Sequence, residues 1–385
     1  MARRAQVDRG GMRGNRRHPI GWCGLLLAIP MIILSSCSAG SSSSRSTSNG
    51  SGSLGTRIAT SNQPSAAGKW SAPRLITPRR PNGSIGDGLY SVSCPTISFC
   101  VAVSADGFAI RYDGSRWSSQ TPLSPDVSLK SVSCPSPSFC GAINGTGQFF
   151  QFDGQSWSGP TNSDPDGSFS ASAISCASST LCTAVDNLNG WATTWNGASW
   201  SVWQVDSSGL SAVSCSQPST CAATGNDGYV ANATSSSFAT AQALQNGSSP
   251  WSVTMIDSQV NPPDVNLNAI SCPTSSFCMT VDGAGNAISW NGSEWSNPIK
   301  LTEANSGLTT VSCASSSFCT AVGVNLSSKA PVGANIAYQW NGSAWDAGTA
   351  IDQDSGGIGG AINSVSCSSP AFCVAVDSGG FEVNT

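Results

Sequence analysis

Charge, histidine and helix-forming periodicity are all scarce in this chain. Only 10% of its 385 residues are charged, and its single histidine, His18, lies near the N-terminus. Without a second histidine the main body cannot build a Ser-His-Asp triad or a mixed Cys/His zinc site. Leu, Glu and Lys never gather with a 3.6-residue period, so helical architectures are excluded and an all-β chain is expected. Six of the seventeen Lys and Arg residues and one of the 21 acids precede residue 37, which leaves 11 cations against 20 anions, a net charge of -9. A body that acidic does not suit nucleic acid or an anionic lipid surface.

One long apolar run occurs, Ile20 to Leu34, behind a basic stretch that contains Arg3, Arg4, Arg9, Arg13, Arg16 and Arg17. It is short for a membrane span and fits a signal peptide. Leu34-Ser35-Ser36-Cys37 follows at once and resembles the bacterial lipobox. That resemblance implies removal of residues 1–36, a diacylglycerol thioether on Cys37, and anchoring through lipid at the outer face of the bacterial membrane or envelope. Residues 38–68 are a Ser/Gly/Asn/Thr tract with the composition of a flexible tether, so 37–68 is read as a lipid-anchored linker.

Cysteine and tryptophan are plentiful, and both recur. Seven Cys-x5-Cys clips pair Cys94 with Cys100, Cys134 with Cys140, Cys176 with Cys182, Cys215 with Cys221, Cys272 with Cys278, Cys313 with Cys319 and Cys367 with Cys373. Their first cysteines are 40, 42, 39, 57, 41 and 54 residues apart, the length of a four-stranded propeller blade with two insertions. Each repeat reads as a strand ending in Ser-Cys, a clipped turn, a second strand such as Phe99-Cys-Val-Ala-Val103, a third ending in an aromatic, then an Asn/Asp-Gly turn into Trp. Asp113-Gly114, Asp153-Gly154, Asn196-Gly197, Asn291-Gly292 and Asn341-Gly342 have the residue types of two-residue hairpin turns. The last repeat stops after three strands, while Trp70 to Ile76 is a strand without a blade. The expectation is therefore a seven-bladed β-propeller of four-stranded antiparallel blades over 69–385, closed by an N-terminal strand that completes the last blade.

The clips are expected to be disulfides within each hairpin, since seven residues bring the two Cβ atoms into bridging range. Such pairs belong in an oxidising compartment. The spacing is too long for a Cys-x-x-Cys redox motif and for the shorter intervals of zinc sites, so no metal or cofactor is expected.

The aromatic-Asn/Asp-Gly-x-x-Trp turn resembles the Asp-box hairpin of sialidase-like propellers, although glycine here follows the acid directly and the preceding serine is missing. A sialidase also needs an arginine cluster drawn from several blades. Arg74, Arg79, Arg80, Arg111 and Arg116 all precede residue 117, so that cluster cannot form. The combination Ser-Cys-Pro-Ser-x-x-Phe-Cys, Ala-Val and Trp-Asn-Gly-x-x-Trp-Ser is similar to the repeats of exported bacterial propeller lipoproteins, a resemblance that implies a fold and no particular activity.

Recurrent aromatics are expected to pack between blades, with Trp191 and Trp203, outside the repeat, open to either packing or ligand stacking. Asp186, Asp282 and Asp377 share the end of the second strand, where they either cap turns or supply paired carboxylates to a glycoside hydrolase or lyase. The turns that join first to second and third to fourth strands share one face and are nearly uniform. The opposite face varies, with insertions at Val324 to Asn335 and within Tyr229 to Leu244. A protein or glycan partner is therefore expected on the variable face, at Arg79, Arg80, Asp87, Asp186, Asp282, Lys329 and Asp377. The protein is read as a monomeric, non-catalytic binding module.

Overall fold

The computed structural model describes residues 68–78, 88–164, 167–216, 220–234, 236–238, 249–256, 266–302, 306–325, 334–352 and 360–385. The expected signal peptide, Cys37 and residues 38–67 of the expected tether lie outside them, as do Arg79, Arg80, Asp87 and Lys329.

Seven four-stranded antiparallel sheets form a ring, a seven-bladed β-propeller. The first blade is Leu89–Thr96, Phe99–Ser104, Phe108–Tyr112 and Thr121–Pro122, from inside to outside. Inner strands of adjacent blades lie side by side around the axis, the seventh against the first. In the last blade Ile362–Ser369, Phe372–Asp377 and Phe381–Asn384 are joined by Arg74–Leu75 as outer strand, in the register Arg74↔Glu382 and Leu75↔Phe381. Two further contacts hold that seam. Ser71 donates its N–H to the Asn384 carbonyl at 2.7 Å, and Arg74 Nη2 lies 2.8 Å from Oε1 of the buried Glu382.

The hydrophobic core is divided rather than central. Among the described residues there are seven buried clusters, one for each junction between blades. Between the first two blades, for example, Val101 and Val103 pack on Leu129, Val132, Phe150 and Phe152. A sheet buried on both faces explains the Ala-Val runs of the second strands, every one of which is at least mostly buried.

The seven clips are disulfides, each across the first hairpin of its own blade and with Cα atoms 3.9 to 4.1 Å apart. Cys94 is bonded to Cys100, Cys134 to Cys140, Cys176 to Cys182, Cys215 to Cys221, Cys272 to Cys278, Cys313 to Cys319, and Cys367 to Cys373. The second cysteine of each pair is the second residue of a second strand and is the deeper of the two in its hairpin. Cys100, Cys140, Cys182, Cys221, Cys319 and Cys373 have no exposed surface, and Cys278 is 6% exposed. These sulfurs are therefore part of the packing between blades, and none of them is presented to a ligand.

The serine of each Ser-Cys pair has a role beyond strand formation. Its hydroxyl accepts the backbone N–H of the first cysteine in the next blade. Ser93 takes Cys134, Ser133 takes Cys176, Ser175 takes Cys215, Ser214 takes Cys272, Ser271 takes Cys313, Ser312 takes Cys367, and Ser366 takes Cys94. All seven distances are 2.8 or 2.9 Å. The inner strands have no sheet partner on the axial side, so these bonds supply what a ladder would otherwise give.

Two expectations about turns are corrected. The Asn/Asp-Gly turns are four-residue loops, not two-residue ones. Tyr112 pairs with Trp117, Asp113 donates its N–H to the Arg116 carbonyl, and Asp113 Oδ1 accepts the N–H groups of Ser115 and Arg116 at 2.9 Å. Only the glycine has positive φ, between 92° and 97° in the five copies. The side-chain cap replaces the second left-handed residue that the shorter turn would need. The second correction concerns the fourth blade. Tyr229–Thr234 buries Val230, Ala231 and Ala233 and pairs with Thr220–Gly225, so it is the third strand. The insertion after it therefore leaves from the clip face, which is thus not wholly uniform. There Phe238 packs edge-on against Trp251, with ring centroids 5.8 Å apart.

A candidate binding face at the channel mouth

The three aspartates at the ends of the second strands do occupy equivalent positions, opposite Ala171, Leu267 and Ile362. They do not present carboxylates to solvent. Each has 0% exposure, and each closes its own turn. Asp186 Oδ1 accepts the N–H groups of Leu188 and Asn189, and Oδ2 accepts that of Ser170. Asp282 binds Asn286 through both its backbone N–H and its side-chain amide. Asp377 Oδ1 accepts Gly379 and Phe381, and Oδ2 accepts Gly360. Asn144 and Ser104 do the same service in other blades. These carboxylates hold the turns that follow the second strands and are closed to solvent.

One carboxylate departs from this pattern. Asp352 follows the outer strand of the sixth blade, at a position occupied by Ser124 and Thr302 in the first and fifth. It is buried, its φ is 57°, and among the described residues its Oδ1 lacks a partner while Oδ2 accepts Asn335 Nδ2 at 3.2 Å. Burial, reinforced by the charge of Asp377, pushes its pKa up to about 7. Burial also raises that of Asp377. With both Asp377 oxygens committed to main-chain N–H groups, the two do not make an acid and a free nucleophile of the glycosidase kind.

Tryptophan is equally structural. The aromatic before each Asn/Asp-Gly loop meets the tryptophan after it, as in Tyr112–Trp117 at 5.4 Å and Trp340–Trp345 at 5.8 Å between centroids. Trp191 and Trp203 prove to be partly buried against the clusters flanking the third blade, which settles them as packing residues.

A cleft of about 540 Å³ lies on the flank between the first two blades, lined by Arg111, Thr121, Phe150 and Trp157 among others. It exists because the first blade's outer strand has two residues where the second has six, Trp157–Asn162. No carboxylate lines it.

The channel mouth on the variable face is more informative. Every inner strand is bulged just after its first core residue, and a bulged residue leaves the ladder and re-aims its side chain. The seven bulged residues are Tyr90, Lys130, Ser172, Ser211, Asn268, Thr309 and Asn363. Five of them donate to a main-chain carbonyl of the next blade. Ser172 reaches Leu210, Ser211 Leu267, Asn268 Leu308, Thr309 Ile362 and Asn363 Leu89. Tyr90 and Lys130 break the series. They are the one aromatic and the one charged residue in all seven inner strands, and they meet, with Lys130 Nζ 4.9 Å from the Tyr90 ring centroid. Residue-type reasoning missed both, although aligning the seven copies on their first cysteines exposes them.

No protein-family model matches the chain, and no curated protein matches it. Solved structures do. A structure described as "YCF48 bound to D1 peptide" has a TM-score of 0.58 at 14% identity, over 84% of this chain and 98% of that one. The WD40 repeats of RRP9 give 0.59 at 12% identity, over 83% and 98%. YCF48 from Cyanidioschyzon merolae gives 0.57 at 11%, over 82% and 98%. At such identities the likeness is one of fold, and the fold it shows is the β-propeller.

Proposed function

We propose that this protein is an exported, non-catalytic lipoprotein, held by lipid on Cys37 at the outer face of the cell membrane or envelope, that binds a protein partner through the variable face of its propeller. The observation that carries this reading is the inequality of the two faces. One is built almost entirely from disulfide clips and Asx-capped loops repeated blade after blade, whereas the other holds the irregular connections and the broken ring of bulged residues. Leu188, 66% exposed at a turn of that second face, gives it an apolar contact point. Peptide binding by a propeller of like fold, in the YCF48 structure described with D1 peptide, supports the same reading by analogy of architecture. Seven disulfides favour an oxidising compartment.

A photocrosslinking residue at 188, compared with one at Ile97 on the clip face, tests the proposal in the cells that make the protein. Adducts with a discrete protein from position 188 alone are expected. Adducts from position 97 alone would overturn the choice of face, and adducts with polysaccharide would replace protein by glycan as partner.

A further inference from the structure

We propose that Tyr90 and Lys130 form a seat for a single carboxylate of the protein partner, a Glu or Asp side chain or a free C-terminus, at the mouth of the channel. The inference rests on the variable face being the binding face, and it names what that face reads.

Hydrogen-bond supply sets these two residues apart. Ser172, Ser211, Asn268, Thr309 and Asn363 each spend a donor on the neighbouring blade, so these five are tied into the ring by bonds between blades. Lysine is different, since an ammonium has three donors and no acceptor. Among the described residues, the contact made by the Lys130 ammonium is with the face of Tyr90, which orients the cation through its π-cloud and leaves its N–H groups to be filled. The Cε of Lys130 also lies against the turn of its own blade, 3.2 Å from where a Cβ on Gly145 would sit, so glycine there leaves room for the side chain to cross. An oriented cation with open donors in a neutral ring of hydroxyls and amides is complementary to an anion.

Two features narrow the class. A single lysine in a domain of net negative charge matches one carboxylate, while a polyphosphate or nucleic acid would be repelled by the surrounding field. Stacking of a sugar ring needs an open aromatic face, and Tyr90, the only aromatic of the seven inner strands, has one of its two faces taken by Lys130. A peptide segment that lowers one acidic group into the mouth meets neither obstacle.

The test uses the full chain and a random peptide library displayed with free C-termini. Selected peptides are resynthesised with each acidic residue changed to its amide, and with an amidated C-terminus. Expected is a loss of at least tenfold in affinity on removal of one carboxylate, the same loss in Lys130→Asn, and retention in Lys130→Arg. Asparagine is the residue that two other blades carry at this position, so an unchanged unfolding midpoint is expected for that variant and serves as its control. Peptides that need Leu188 but ignore Lys130→Asn would overturn the seat and leave the binding face standing. Peptides sensitive only to Ile97→Glu would overturn both. Uronic-acid oligosaccharides that bind in a Lys130-dependent way, with no peptide selected, would overturn the peptide occupant, and failure of every probe to bind would overturn the seat.

Discussion

Replacing Asp352 by asparagine should make the propeller more stable at neutral and alkaline pH and less dependent on pH. In the folded protein the Asp352 carboxyl titrates at about 7, against 3.8 for the ordinary group. A raised folded pKa means that the native state holds the proton more tightly than the unfolded chain. The contribution to stability is therefore fully present below about pH 4 and is lost as pH rises through 7. The difference between the two values corresponds to a ceiling of about 4 kcal/mol. Relaxation and water penetration around a buried charge bring the observable effect to roughly half of that, about 2 kcal/mol. Asparagine is neutral throughout, can accept the Asn335 amide, and tolerates the left-handed backbone at φ 57°. Asp377 and Glu382, whose pKa values burial also raises, act in the same direction, so the variant should flatten the profile without levelling it. Asp113, held down to about 2 by Ser115 and neighbouring N–H groups, and Asp153, lowered by the Ser156 and Gln155 N–H groups, titrate below this window. Denaturant unfolding followed by tryptophan fluorescence at pH 4.5, 6, 7.5 and 8.5 would check it. Parallel curves for the two proteins between pH 5 and 8 would refute the reasoning.

Other expectations follow from the ring itself. Ser133→Ala strands the N–H of Cys176, which is 5% exposed, and should cost about 1–3 kcal/mol in denaturant unfolding. Deleting residues 69–76 removes the outer strand of the last blade together with the Arg74–Glu382 pair, and should lower the unfolding temperature of the whole domain rather than release one blade. Replacing Cys134 and Cys140 together by alanine should cost about 2 kcal/mol through the opened seven-residue loop, read as a shift in denaturation midpoint. Intact-mass measurement of the membrane fraction should find a chain that begins at Cys37 with added acyl mass, and Cys37→Ser should abolish that form.

The architecture was legible because its signals are local and repeated. Seven identical Cys-x5-Cys clips announce the blade count, and the strands around them read alike from copy to copy. What escaped is chemistry that depends on neighbours distant in sequence. An aspartate that caps its own turn, such as Asp186, and one stranded beside another acid, such as Asp352, are indistinguishable as letters. The Asx cap of Asp113 replaced a second left-handed residue, a choice that the Asp-Gly pair alone does not reveal. Tyr229–Thr234 could be either loop or strand until Thr220–Gly225 was there to pair with it. Lys130 and Tyr90 were visible as exceptions within a column, but only pairing of the blades showed that the two exceptions touch.

The serine-cysteine belt has a consequence for how such a molecule can be rearranged. Every bond in it runs the same way round, from a main-chain donor in one blade to a hydroxyl in its predecessor, so the belt is a directed cycle with no first member. The polypeptide is linear, yet its cut falls inside a blade, where Gly68 sits close enough to Thr385 that a Cβ on it would come within 2.8 Å of the threonine side chain. Beginning and end of the propeller are thus neighbours already. A chain joined there through a short linker and reopened at a crossing between two blades should rebuild the same cycle, with the order of blades in space unchanged and their order in sequence rotated.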